Sequence, residues 1–103
     1  MPNGAYRLRI RWTRRAQRQL DEALDYIAEE NPIAARQVAA RIYQATRLLK
    51  DNPLMGRPGR VVDTREWVVK DTAFLLGYQV GNNELAILAV LHSKQHWPDD
   101  REH

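Results

Sequence analysis

The side chains best able to do chemistry follow directly after the most apolar stretch of the chain. Residues 85–91 carry no polar side chain, and the next six positions, 92–97, read HSKQHW before Pro98. The apolar run is long enough for a strand buried on both faces and too short to span a bilayer. We expect this strand to be the centre of a sheet and to end before the proline. A carboxylate in its middle would have no basic partner, so Leu88→Asp is expected to abolish folding.

His92 is the candidate catalytic residue among these side chains. The alternation of a strand places it on the face of Ala86, Leu88 and Val90. Imidazole exchanges protons near neutral pH, so His92 could act as a general acid or base. Arg65, at the start of a neighbouring predicted strand, could stabilise charge on a phosphate. In the alternative interpretation, His92 only donates a hydrogen bond to a carbonyl at the strand end.

Other chemistries have weaker support in the spacing. His92 and His96 are four residues apart with Asp99 nearby, but metal pairs at that spacing normally need a helix, and here the chain leaves a strand. The sequence GRPG at 56–59 matches neither the phosphate-binding loop of nucleoside triphosphatases nor the dinucleotide-binding fingerprint. Ser93 lacks the elbow sequence of a serine hydrolase. The sequence therefore predicts neither a metal nor a cofactor.

Arginine dominates the positive charge of the chain. Thirteen of the sixteen basic residues are arginine, and six of them precede the first acid, Asp21. The planar guanidinium binds phosphate or carboxylate through two hydrogen bonds at once, so this bias favours an anionic partner. A solvated surface rich in arginine is the alternative.

The first predicted helix has its charges reversed relative to its dipole. Arginines occupy its positive N-terminal end and Asp25, Glu29 and Glu30 its negative C-terminal end. Stability alone would not select this order, so we interpret the basic end as a contact surface for something anionic. The candidate residues for binding a target or an anion are Arg14, Arg15, Arg18, Arg57, Arg60, Lys94 and Trp97. Trp97 could instead pack over the open edge of the core.

Length and composition predict one domain. The chain has 103 residues, of which 44% are hydrophobic and 28% charged, and it contains no cysteine. We expect a single domain over residues 1–103 with an ordered core of about 5–98. The N-terminus has no apolar signal region, which indicates a cytoplasmic protein without a membrane association.

The order of the predicted elements indicates an α+β fold. A strand with alternating apolar and basic residues, 6–12, precedes a helix capped by Thr13, and Asn31-Pro32 separates this helix from a second one. The two helices should form an antiparallel hairpin. A turn-rich segment, 54–60, then leads to predicted strands at 61–62, 65–69 and 74–80, and Gly81-Asn82-Asn83 makes a hairpin with the central strand.

These segments together resemble the RelE/ParE family of bacterial type II toxin–antitoxin toxins. The resemblance rests on RRAQRQLDEALDYIAEENPIAARQVAARI, NPLMGRPGR, DTREWVV, LLGYQV and ILAVLHSKQHWP, and it covers residues 6–98. It implies an N-terminal strand, a helical hairpin and a three- or four-stranded antiparallel, twisted sheet. It also implies a cognate antitoxin, encoded beside the toxin, that wraps it in a hetero-oligomer.

The resemblance implies one of two targets. ParE-like toxins inhibit DNA gyrase, whereas RelE-like toxins cleave mRNA on the ribosome without a metal. Arg65 and His92 match the strand arginine and late histidine of the family, and they would be catalytic in the ribonuclease alternative. The chain lacks the late tyrosine of that branch and has few lysines along its first helix. We therefore favour a ParE-like inhibitor of gyrase.

Overall fold

Two helices pack on a five-stranded sheet in this protein. The computed structural model describes residues 8–94. None of the helices in that range is long and apolar enough to cross a membrane. The elements in chain order are β1 (Arg9–Trp12), α1 (Arg14–Glu30), α2 (Pro32–Asp51), β2 (Arg57–Pro58), β3 (Arg65–Val68), β4 (Phe74–Val80) and β5 (Glu84–His92).

The helix boundaries agree with the predicted caps. The Thr13 hydroxyl accepts a hydrogen bond from the N–H of Ala16 and starts α1. Asn31 ends α1 and starts α2, because its N–H donates to the carbonyl of Ile27 while its side chain accepts from the N–H of Ala34. Pro32 follows as the first residue of α2, where it needs no hydrogen-bond partner. The single residue between the helices turns them into the predicted hairpin.

The sheet is mixed, not purely antiparallel as expected. Its strand order is β1-β5-β4-β3-β2, and β1 runs parallel to β5 while the other pairs are antiparallel. A parallel pair needs a long crossover between its strands. Here everything between β1 and β5 serves as that connection, so no local sequence signal marks the pairing. The α+β class is nevertheless confirmed.

Two short segments differ from the sequence prediction. Val61 and Val62 were expected in a strand, but they lie in a turn closed by hydrogen bonds from the N–H and hydroxyl of Thr64 to the carbonyl of Val61. Asp63 in this turn has a φ of 65°, which a strand cannot accommodate. Conversely, the segment expected to be irregular contains the two-residue strand β2, which pairs with the start of β3.

β5 is the buried strand that the apolar run predicts, and it contains a bulge. It pairs with β1 on one side and with β4 on the other, so it is interior, although β4 holds the middle position. Ile87 lies opposite Tyr78 and Ala89 opposite Gly77, which leaves Leu88 as an extra residue without a partner. The alternation is thereby displaced: Ile87 and Val90 share the main core, and Leu88 packs on the opposite face.

Beyond the end of β1, residues at the start of α1 form hydrogen bonds with the edge of β5. β1 pairs with β5 only as far as Ile87. Beyond it, the Thr13 hydroxyl lies 3.0 Å from the Ile87 carbonyl oxygen, and the Val90 N–H donates to Gln19 Oε1 at 2.9 Å. These contacts satisfy polar groups of the backbone that would otherwise lie at an open sheet edge. They also hold the first two turns of α1 against the second half of β5.

Candidate functional site

The Arg65 side chain binds backbone carbonyls of the segment that follows α2. Its guanidinium donates to the carbonyl oxygens of Leu54 and Gly56 at 3.2 and 2.8 Å. Both carbonyls belong to the segment that joins α2 to β2. Arg65 is half-buried, and its Nη1 is engaged by these two acceptors. This arginine therefore fastens the turn after α2 to the sheet.

Tyr78 also holds the turn after α2 against the sheet. Its side chain is fully buried, and its hydroxyl accepts from the N–H of Gly56 at 2.9 Å and donates to the carbonyl of Pro53 at 2.8 Å. Burial raises the pKa of Tyr78, while the Gly56 hydrogen bond and the charge of Arg65 act in the opposite direction. A Cβ on Gly56 would lie 2.5 Å from the Tyr78 hydroxyl, so glycine is required at this position.

Glu66 is a central residue that the sequence analysis missed. Only 2% of its side chain is exposed, yet it is a carboxylate. Its Oε1 accepts from Arg57 Nη2 at 3.2 Å, and its Oε2 accepts from the backbone N–H of Arg60 at 3.2 Å and lies 3.8 Å from Arg60 Nε. Charged acceptors of this kind need several partners when buried. The available signal was an acid in a strand nine and six residues after two arginines, but the spacing alone does not identify its partners.

The two loop arginines therefore have an internal role. Arg57 and Arg60 neutralise Glu66, although 58% and 43% of their side chains remain exposed. We define the loop clamp as Arg57, Arg60, Arg65, Glu66 and Tyr78. It ties residues 53–60 to β3 and β4 through hydrogen bonds and ion pairs. Binding of a target by Arg57 and Arg60 stays a prediction.

We expect Glu66→Ala to loosen this loop. The change removes the acceptor of the Arg60 N–H and the counter-ion of both arginines, but the arginines can turn to water because they are half-exposed. The cost should be about 1–3 kcal/mol in the free energy of unfolding, measured by urea denaturation. Glu66→Gln, which keeps an acceptor oxygen, should lose less. Equal stability of Glu66→Ala and the unmodified chain would contradict the clamp.

The raised pKa of Tyr78 predicts a loss of stability in alkali. Above pH 10 the unfolded chain releases the tyrosine proton while the folded chain retains it, so unfolding becomes more favourable as pH rises towards the folded pKa. Stability should fall by up to about 1.4 kcal/mol per pH unit from this group. Tyr78→Phe should be less stable at pH 7 but should show a shallower decline between pH 10 and 11. Parallel urea titrations of the two proteins measure the difference.

His92 lies far from Arg65. The register places Arg65 opposite Tyr78 and His92 opposite Phe74. The two candidate catalytic residues are thus separated by about 13 Å along the strands and by two strand spacings of roughly 4.8 Å each. The His92 ring lies edge-on to Phe74 with centroids 5.7 Å apart, and its Nδ1 accepts from the N–H of Lys94 at 3.3 Å. The fold does not bring Arg65 and His92 to one phosphate.

The prediction of which side of the sheet carries His92 was partly correct. His92 lies on the helix-facing side with Val90, as expected, but the bulge moves Leu88 to the opposite side. His92 lines a groove of about 550 Å³ between the helical hairpin and the end of the sheet. The groove is mainly apolar, with Tyr26, 77% exposed, at its rim and Val38 and Phe74 in its walls.

Three arginines at the start of α1 are fully available to a partner. Arg14, Arg15 and Arg18 are exposed, and within residues 8–94 none of them forms an ion pair. The first turn has no acid to offset them. Lys94 is also exposed, at the His92 end of the sheet. Trp97 and His96 lie outside the described residues.

The fold and this distribution of charge define a small α+β domain with an apolar groove at the hairpin and an unneutralised basic helix end. A sequence model described as "ParE toxin of type II toxin-antitoxin system, parDE" matches residues 10–97. The chain therefore belongs to the ParE toxin family.

The known proteins similar to this chain include a toxin sequence and a solved structure. One is the "Putative toxin Y4kP" of Sinorhizobium fredii (strain NBRC 101917 / NGR234), 46% identical over 92 residues that make up 89% of this chain and 95% of that protein. The other is a solved structure titled "Chromosomal ParDE TA system from P. aeruginosa", which superposes with a TM-score of 0.77 at 24% identity. The match covers 84% of this chain and 97% of the other, and at this identity it supports the fold alone.

Proposed function

We propose that this ParE-family toxin stops growth by binding and inhibiting DNA gyrase in the cytoplasm, and that a cognate antitoxin neutralises it. The observation that carries the proposal is the separation of Arg65 from His92, with Arg65 bound to backbone carbonyls. A ribonuclease would need a charged group and a proton-transfer group at the same phosphate. Inhibition by binding needs only a complementary surface.

The basic start of α1 is the contact that we assign to gyrase. Arg14, Arg15 and Arg18 carry charges that no acid in residues 8–94 neutralises in an ion pair. Exposed charges of this kind accelerate association with an oppositely charged partner and set its orientation. The apolar groove beside Tyr26 and Phe74 is the contact that we assign to a helix of the antitoxin.

Two assays run side by side test the gyrase proposal. The purified chain should inhibit supercoiling by gyrase, and mRNA from cells that express it should remain intact in primer extension. His92→Gln should inhibit gyrase as well as the unmodified chain, since no proton transfer is involved. Cleavage of mRNA at codon boundaries with unaffected gyrase would overturn the proposal.

A thermal melt tests the partner. An equimolar antitoxin should raise the melting temperature of the toxin, because it binds only the folded chain and covers apolar surface. An unchanged melting temperature would show that the antitoxin does not bind the folded toxin, and would overturn this part of the proposal.

A further inference from the structure

A cleft lies between α2 and the end of β3. α2 forms one wall, and Trp67 with the turn after β3 forms the other. The volume of the cleft is about 590 Å³, which lies within the range of sites that hold small molecules. The cleft shares no lining residue with the apolar groove beside Tyr26, and none of the α1 arginines borders it. It is therefore separate from both contacts of the proposed function.

One end of the cleft is basic. Arg41 Nη1 lies 3.2 Å from Asp71 Oδ2, which places the turn after β3 beside α2 at this end. Lys70, in the same turn, and Arg47, further along α2, are exposed and line the cleft. Within residues 8–94 neither of them forms an ion pair. Cations grouped in this way bind phosphate through charge-assisted hydrogen bonds.

The other end of the cleft is aromatic and carries an acid. Trp67 also lines a neighbouring cleft with Met55, so its indole lies near the C-terminal end of α2. Leu48, which is 45% exposed, lines the same cleft as Trp67. Asp51 is the last residue of α2, ten residues or about 15 Å of helix beyond Arg41. It is exposed and has no ion pair in the described part of the chain.

These groups follow the order of the parts of a nucleotide. A matching ligand has an anionic end, a flat ring for the indole and a hydrogen-bond donor on the far edge of that ring. Trp67 and Lys70 are three residues apart, at most about 10 Å of chain, which is comparable to the distance from a base to the outer phosphates of its triphosphate. An acidic peptide would satisfy the cations but would leave the indole and Asp51 unused.

We propose that this cleft binds a free nucleoside phosphate. The base stacks on Trp67, and its amino group donates to Asp51. The phosphates bind Arg41, Arg47 and Lys70. Guanine fits best, because its ring N–H and its amino group together match the two oxygens of a carboxylate.

Calorimetric titration of the full chain with GTP tests the site. GTP should bind about tenfold or more tightly than inorganic tripolyphosphate, because stacking of the base on an aromatic ring adds to the phosphate contacts. GTP should also bind several-fold more tightly than ITP, which lacks only the amino group. Asp51→Ala should remove this preference for GTP over ITP.

Substitutions of the two unpaired cations test the phosphate end. Arg47→Ala and Lys70→Ala should each weaken GTP binding several-fold, and the loss should shrink as salt increases. Arg36→Ala is the matched control, because Arg36 is exposed on the same helix but does not line the cleft. It should bind GTP as the unmodified chain does.

Nuclear magnetic resonance locates the base without a change to the core. Trp67 packs against the main core, so replacing it risks unfolding the chain. In the unmodified chain the indole N–H signal of Trp67 should shift on addition of GTP, while that of Trp12, outside the cleft, should not. An unmoved Trp67 signal in a chain that binds GTP would overturn the inference.

Three further results would contradict the nucleotide site. Absence of binding at about 1 mM GTP would remove it. Equal affinities for GTP and tripolyphosphate, or equal losses in Arg36→Ala and Arg47→Ala, would reduce the cleft to a non-specific basic surface. A single-stranded DNA of about eight nucleotides that binds more than tenfold tighter than GTP would assign the cleft to nucleic acid.

Discussion

Ile87→Asp is expected to abolish cooperative unfolding, whereas Leu88→Asp, one residue further along, should still melt cooperatively. Ile87 is fully buried in the main core between the sheet and the helices. An aspartate there would be desolvated with no basic side chain in the surrounding core cluster, at a cost of several kcal/mol that a domain of this size cannot absorb. Leu88 is the bulge residue and is only half-buried on the opposite face, so the structure replaces the loss of folding that the sequence predicted for Leu88→Asp.

Circular dichroism melts of the two variants measure this contrast. Leu88→Asp should lose about 1–3 kcal/mol, since its carboxylate can reach water. Ile87→Val serves as a control for volume and should lose only about 0.5–1.5 kcal/mol. If both aspartate variants fail to fold, the bulge is absent and the uninterrupted alternation predicted from the sequence is the better description. If both fold, β5 is not the core strand.

Reversing charge at the start of α1 should weaken gyrase inhibition and at the same time stabilise the toxin. Glutamates at positions 14 and 18 would replace two cations near the positive end of the helix, and the one at position 14, in the first turn, would interact favourably with it by about 0.3–1 kcal/mol. They would also repel an acidic partner surface, and the inhibitory concentration should rise about a hundredfold, in proportion to a loss of roughly 3 kcal/mol. Opposite signs for stability and activity are the result that distinguishes a binding surface from a structural one.

The matched control for Arg14→Glu with Arg18→Glu is Arg36→Glu with Arg47→Glu. Those two arginines are exposed on α2, and the exchange alters the net charge by the same amount. The control should inhibit gyrase nearly as well as the unmodified chain. Equal losses of gyrase inhibition in the two double variants would mean that the net charge of the toxin determines inhibition and that no specific surface is involved. The loss for the α1 pair should shrink as salt increases.

The features of this protein that depend only on neighbouring residues, such as helix caps, were predictable from the sequence. Thr13, Asn31 and Pro32 cap or start helices through hydrogen bonds to residues three or four positions away, so the types of neighbouring residues suffice. The apolar run 85–91 similarly indicates a buried strand wherever it is placed. The exposed arginines at the start of α1 were also visible, because a helix with no acid in its first turn leaves them unpaired.

The arrangement of the candidate site depended on contacts between distant parts of the chain. The parallel pairing of β1 with β5 joins residues more than seventy positions apart, and the bulge at Leu88 arises from the register with β4. The role of Arg65 also depends on distant contacts. The sequence analysis predicted that it binds a phosphate, whereas in the fold its guanidinium donates to the carbonyls of Leu54 and Gly56.

Residue types and local spacing therefore determined the helices, their caps, the buried strand and the excess of arginine. Only the tertiary structure decided which arginines are neutralised, because Glu66 reaches Arg57 and Arg60 across the pairing of β2 with β3. It also decided that Arg65 and His92 lie at different ends of the sheet. Strand order and register set these distances, and they follow from packing the whole core, which no single segment encodes.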